Sequence, residues 1–363
     1  MRGRGYGKRK RTVLTRRVSD LRWIMVAARY SAKEGAMVRC RLCPNYCLIG
    51  EGKLGRCLGR RNTGGRLYAL NYGQVVSMAM DPIEKKPLYH FHPGTDILSI
   101  ATYGCNLMCP FCQNCEISQE VAPSRYVPPE ELVKTAQQSG GIGVAFTYTE
   151  PLIWFEYLAD VCPQLRKAGL LTVLVTNGMV NKEPLAELLP YIDAMNIDLK
   201  SIRPKFYSDY IKGDLPTVLE TIKQARKACH VELTTLLIPG RNDSDAEIAE
   251  LVDFVASLGR DTVLHFSRYF PRHRATEPET PEATLLAAGE IAREKLDYVY
   301  LGNVRAGPLF CDTRCPACGN VLVERSGYRG RVYGVKEGAC SSCGRTADIV
   351  LQRQERTKSD VRS

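Results

Sequence analysis

The chain has 363 residues, a formal net charge of +11 and fifteen cysteines, enough length to bury a large core. Its longest apolar runs fall far short of a bilayer-spanning segment. Most cysteines fall into three groups with ligand-like spacing and no secretory signal stands at the start, so metal binding in a cytoplasmic setting is expected rather than a disulfide framework.

Residues 1–17 carry eight Lys or Arg and no acid. Most of the excess charge therefore sits in a basic arm expected to be disordered and solvated. Arg16-Arg17 precedes a short apolar run at 23–28, but Arg22 and Arg29 bound it too tightly for an export signal. Residues 18–35 read as a helix by propensity.

A Cys-rich segment, 18–95, follows the arm. Cys40, Cys43, Cys47 and Cys57 lie close together, with Gly50, Gly52 and Gly55 where a loop must wrap. Such a set fits one tetrahedral metal or one cluster, zinc or iron–sulfur. Residues 66–80 alternate like a hairpin turning near Asn71 to Gly73. The stretch 81–94 crowds charged and aromatic residues between prolines, as an active-site mouth or an ordinary connector would.

From 96 to 308 strand-like and helical runs alternate. Strands are expected at 97–103, 143–148, 171–176, 194–199, 231–238, 262–268 and 298–303, and helices at 151–168, 181–191, 217–229, 244–258 and 281–296. Repeated βα units imply an α/β fold with a parallel sheet, doubly wound or as a closed or partial barrel, with chemistry at the C-terminal strand ends.

The first of these strands runs through Gly104 into Cys105, Cys109 and Cys112, with Phe111 before the last. Three thiolates hold three irons of a cubane and leave the fourth open to a reacting ligand; a three-cysteine zinc site is the plainer alternative. Polar residues recur at later strand ends. Glu150 and Lys200 are the strongest of these, because one ligand bearing an ammonium and a carboxylate calls for an acid and a base. Cys115 reads as a free buried thiol, and Cys162 and Cys229 as core residues. At 309–351, Cys315, Cys318, Cys340 and Cys343 form two knuckles, each followed by Gly, the signature of a zinc ribbon. The tail, 352–363, is expected to be disordered.

The C-x3-C-x2-C loop with its aromatic residue resembles that of radical SAM enzymes. That resemblance implies a partial (β/α)6 barrel and a [4Fe-4S] cluster on Cys105, Cys109 and Cys112. S-adenosylmethionine (SAM) would be bound by Phe111 near the adenine, Glu150 on the amino group, Asn177 on the ribose, and Asp198 with Lys200 matching an Asp-x-Lys of activase-like members. Tyr148-Thr149 stands where the family commonly has two glycines. The four-cysteine entry, residues 81–91, Gln113-Asn114, Glu150-Pro151 and Gly302-Asn303-Val304 together resemble the AmmeMemoRadiSam-system radical SAM enzymes, which are similar to pyruvate formate-lyase activating enzymes. The resemblance implies hydrogen abstraction from a protein or small-molecule substrate, a reductant such as flavodoxin or ferredoxin, and a Memo-like associate. The alternative, a zinc-ribbon nucleic-acid-binding protein, calls for basic and aromatic residues spread over one face, whereas the excess charge is confined to the arm.

Overall fold

The computed structural model describes residues 25–304 and 307–351, so the basic arm, residues 18–24 and the tail from 352 lie outside the described residues. What is described of the expected first helix is strand instead. β1 (Val26–Ala27) is followed by β2 (Ser31–Glu34), which turns through Gly35 at φ +62 into β3 (Met37–Cys40). Helix propensity is a weak prior, and cross-strand pairing overrides it here. β4 (Leu48–Ile49) completes that small sheet.

β5 (Arg60–Thr63) and β6 (Arg66–Ala69) form a hairpin through Gly64-Gly65, both at positive φ, with β1 on the far edge of β6. The hairpin expected over 66–80 is therefore absent: a Gly-Gly turn suits the twist of two strands and pairs Leu67 backward rather than forward. β7 (Gln74–Val75) pairs instead with Arg125–Tyr126, and β8 (Ser77–Pro82) runs antiparallel to β9 (Asp96–Ala101).

After β9 come α1 (Cys115–Ser118), β10 (Arg125–Tyr126), α2 (Pro129–Gln138), β11 (Gly143–Phe146), α3 (Phe155–Lys167) and β12 (Leu171–Thr176). The alternation continues with α4 (Lys182–Leu188), β13 (Ala194–Asp198), α5 (Leu215–Ala228), β14 (His230–Leu237), α6 (Asp245–Ser257), β15 (Val263–Arg268), α7 (Glu282–Arg293) and β16 (Val299–Gly302). The sheet order is β16-β15-β14-β13-β12-β11-β9-β8, seven parallel strands in sequence order with one antiparallel edge. Its two edges do not pair, so it is an open sheet rather than a closed barrel, with one more parallel strand than a six-unit barrel would have. Right-handed crossovers that never reverse direction put every helix on one face.

The other face is covered by residues 83–94. Ile83, Leu88 and Phe91 pack against Ile97, Ala145, Leu171, Val173 and Ala194, which point from successive strands to that face. Each such fully buried side chain contributes roughly 1.5–3 kcal/mol. Asn196 donates to the Pro87 carbonyl at 2.8 Å, and the Glu232 carboxylate accepts from the backbone N–H groups of Tyr89 and His90 at 2.9 and 2.7 Å. The segment is thus neither a mouth nor a surface connector but a plug.

The C-terminal module contains β17 (Thr313–Arg314), β18 (Val321–Ser326), β19 (Arg329–Val332), β20 (Val335–Lys336) and β21 (Ala339–Cys340). It grips the plug from outside. Arg325 donates to the Tyr89 carbonyl at 2.6 Å with its guanidinium over the Tyr89 ring, while Val350 and His90–His92 exchange backbone hydrogen bonds.

Candidate active site

Parallel strands place all their C-terminal ends on one rim, and the cysteine loop leaves the rim at the end of β9. Gly104, at φ +92, makes the turn; a Cβ there would stand 2.1 Å from the Cys57 carbonyl oxygen, so only glycine fits. The loop is held by backbone bonds from Met108 to Ile211 and from Arg274 to Pro110. Leu107 N–H and the Asn177 amide lie 3.4 and 3.5 Å from Cys105 Sγ, and the Ser118 hydroxyl lies 3.1 Å from Cys112 Sγ. Burial pushes the Cys109 thiol up to about 12 and Cys105 well above its ordinary value. Thiols this costly to ionise alone become thiolates when a metal supplies the opposing charge.

Glu150 is 1% exposed at the rim beyond β11. It accepts from Leu152 N–H at 2.8 Å, Thr176 hydroxyl at 2.7 Å and Asn177 N–H at 2.8 Å, so it caps the turn at Pro151–Trp154 and ties two strand ends together. Burial nonetheless pushes it up to about 7. Asn177 also donates to Asn106 Oδ1 at 3.0 Å, so its side chain bridges the loop to β12.

On the far side of the loop, Lys200 pairs with Asp198 at 2.9 Å and lies 5.9 Å from the Phe111 ring centroid. Burial works against the Lys200 charge, but Asp198 and the Cys109 sulfur outweigh it and hold its pKa above the ordinary lysine value. Phe111 is buried against Phe206 and Tyr210. The loop thus stands between a Glu150–Asn177 side and a Lys200–Phe111 side.

Sequence reasoning missed several residues. Asn106 is fully buried; its Nδ2 donates to the Met179 carbonyl at 2.7 Å, and its own carbonyl accepts from Asn45. Beside the plug, Asp81 accepts from Lys85 and Lys86, both at 2.7 Å, and from the Tyr148 hydroxyl. Tyr148 takes φ +68 and its carbonyl accepts from Asn114 at 2.6 Å. The crowding of charge and proline at 81–94 was the available signal. Cys115, expected to be buried, opens α1 half-buried, whereas Cys162 and Cys229 are buried as expected.

Cys315 Sγ and Cys343 Sγ are 3.6 Å apart, and Cys318 and Cys340 3.7 Å, with all four ligand atoms within 4.8 Å of one another. That group could hold one metal ion. No other group of three or more His, Cys, Asp or Glu ligand atoms gathers so tightly among the described residues. Three thiols on one loop, with hydrogen-bond donors beside Cys105 and Cys112, fit a cluster there.

Residues 99–254 match the radical SAM superfamily. An uncharacterised protein of Methanocaldococcus jannaschii is 44% identical over 331 residues, covering 89% of this chain and 98% of that protein. The pyruvate formate-lyase 1-activating enzyme of Escherichia coli is 27% identical over 165 residues, 43% of this chain and 67% of that enzyme. Among solved structures, a domain of pyruvate-formate lyase-activating enzyme from Bacteroides vulgatus aligns with a TM-score of 0.40 at 22% identity, over 44% of this chain and 99% of that domain. No described helix is long and apolar enough to cross a membrane.

Proposed function

This chain is an enzyme with a radical SAM domain over residues 99–254, and from that premise we propose an activase-like reaction, hydrogen abstraction from a protein or small-molecule substrate. The observation that carries it is the incomplete thiolate set at the end of β9, with hydrogen-bond donors at Cys105 and Cys112 and Glu150 behind it. Cys105, Cys109 and Cys112 would hold a [4Fe-4S] cluster, which would supply the one electron needed for reductive cleavage of SAM.

The chain's own residues bind and orient. Glu150 accepts the SAM ammonium beside its three fixed donors, and Lys200 meets the carboxylate. Phe111 packs near the adenine and Asn177 faces the ribose. Such positioning can lower a barrier by several kcal/mol. The plug closes the concave side beneath the rim, which limits water at the radical. The activating-enzyme relatives support this class. The motif combination supports the narrower placement among AmmeMemoRadiSam-system enzymes, with a Memo-like associate and a flavodoxin or ferredoxin as reductant, and the close sulfurs of the C-terminal group support zinc there.

The test is anaerobic turnover with SAM and dithionite. Cys109→Ala abolishes 5′-deoxyadenosine formation, and label from a substrate deuterated at the target carbon appears in 5′-deoxyadenosine. Undiminished product from Cys109→Ala, or methyl transfer without label, would refute the reading.

A further inference from the structure

The four N-terminal cysteines take no part in the chemistry above, yet they are built as a site. Cys40, Cys43 and Cys57 are buried and Cys47 is half-buried, and all four line one cavity with Arg60 and Ile153. Arg60 is 1% exposed; it pairs with the buried Glu156 at 2.6 Å, while its Nε has no hydrogen-bond partner. A buried guanidinium beside four thiols suits a site that becomes negative when thiolates form.

The C-terminal sulfurs pair at 3.6 and 3.7 Å, close to the roughly 3.8 Å that thiolates about 2.3 Å from one zinc ion take. The N-terminal sulfurs do not gather three within 4.8 Å, so they are not drawn in around a single ion, and a cubane spreads its thiolates over four separate irons.

The site also abuts the Cys105 loop. The Cys57 carbonyl packs against Gly104, and Asn45 donates to the Asn106 carbonyl at 2.8 Å. Asn45 lines the cysteine cavity, and the Asn106 side chain accepts from Asn177, which in turn reaches Cys105 Sγ. One hydrogen-bonded path, Asn45–Asn106–Asn177–Cys105, joins the cavity to the loop sulfurs.

We propose that Cys40, Cys43, Cys47 and Cys57 bind a second [4Fe-4S] cluster, closed by four thiolates, that relays electrons along this path to the Cys105 loop. The relay half rests on the radical SAM reading; the cluster half does not. A one-electron carrier of the flavodoxin or ferredoxin class reduces the N-terminal cluster by one electron. That electron passes to the Cys105-loop cluster and is consumed in breaking one S–C5′ bond of SAM, with no proton or group moved in the relay. Four protein ligands leave this cluster no open iron, which suits electron transfer rather than substrate binding. Cys47, its half-buried ligand, lies between exposed Tyr46 and Leu48 in a stretch, 41–56, whose exposed Arg41, Lys53 and Arg56 outweigh Glu51. Such a face complements an acidic carrier.

Two measurements test this on anaerobically reconstituted full-length protein. The Cys105/Cys109/Cys112→Ala triple variant is expected to retain about four irons and four sulfides and a reduced-cluster electron paramagnetic resonance signal, and the wild type about eight irons. Zinc at the quartet, or about four irons in the wild type, overturns the cluster. In Cys47→Ala, the ratio of flavodoxin-driven to dithionite-driven 5′-deoxyadenosine formation is expected to fall about ten-fold or more, because the small reductant can reach the Cys105-loop cluster directly. An unchanged ratio overturns the relay. The iron count of the triple variant needs no SAM cleavage, so it stands apart from any failure of the proposed reaction.

Discussion

Lys85 and Lys86 hold the same carboxylate, Asp81, at the same 2.7 Å, yet Lys85 is 44% exposed and Lys86 only 1%. Exposure decides what each contact is worth. Water screens the first pair, so Lys85→Met should cost under about 1 kcal/mol. Lys86→Met removes the buried partner and leaves the buried Asp81 carboxylate only the water-screened Lys85 and the Tyr148 hydroxyl, a loss of about 3 kcal/mol. Denaturant midpoints of the two variants check the ordering, and equal losses would contradict it.

Glu150 carries a pH signature. Burial raises its pKa to about 7 in the fold, so it binds protons that an unfolded carboxyl, near 4.3, would release. Its protonated form therefore favours the fold below neutrality, and that contribution fades as pH rises through 7. An incoming ammonium needs the ionised form. SAM affinity should rise between pH 6 and 7.5 in the wild type and lose that slope in Glu150→Gln, as titration of the iron–sulfur protein with SAM would show.

Gly104→Ala should disrupt both cysteine loops at once. The added Cβ meets the Cys57 carbonyl at 2.1 Å, at a φ that side chains resist. Iron per chain should fall below the amount retained when the three loop cysteines alone are replaced. Full iron content in this variant would mean that the two loops move independently.

Cys318→Ser should abolish metal binding by the C-terminal cysteines and expose residues 311–350 to protease. The small core of Cys315, Leu322, Val323 and Cys340 cannot hold that module without its metal. Unchanged metal content with unchanged protease resistance would contradict this.

The βα alternation was legible because each strand is an apolar run bounded by turn residues, and β12 lies where its pattern put it. The cysteine loop was legible from spacing alone. The early strands were not, since Val26–Ala27 and Ser31–Glu34 owe their state to partners that no local pattern names. α2 was overlooked although Pro129 at its first turn was a usable signal. Asn106 escaped notice because an asparagine between cysteines reads as a turn residue until Asn177 is seen against it.

The plug also imposes an order of assembly. His90 is bonded to the carbonyl of Asp348, 258 residues later, and its backbone N–H to Glu232, 142 residues later. During synthesis the segment emerges long before either partner exists, so Ile83, Leu88 and Phe91 gain cover strand by strand from β9 to β13 and are fastened only when β14 and then the C-terminal module arrive. Contacts this distant in sequence slow folding and prolong exposure of apolar surface. The last-made part of the described chain is therefore the latch, and a chain halted before it would leave the plug half-seated and prone to stick to other chains.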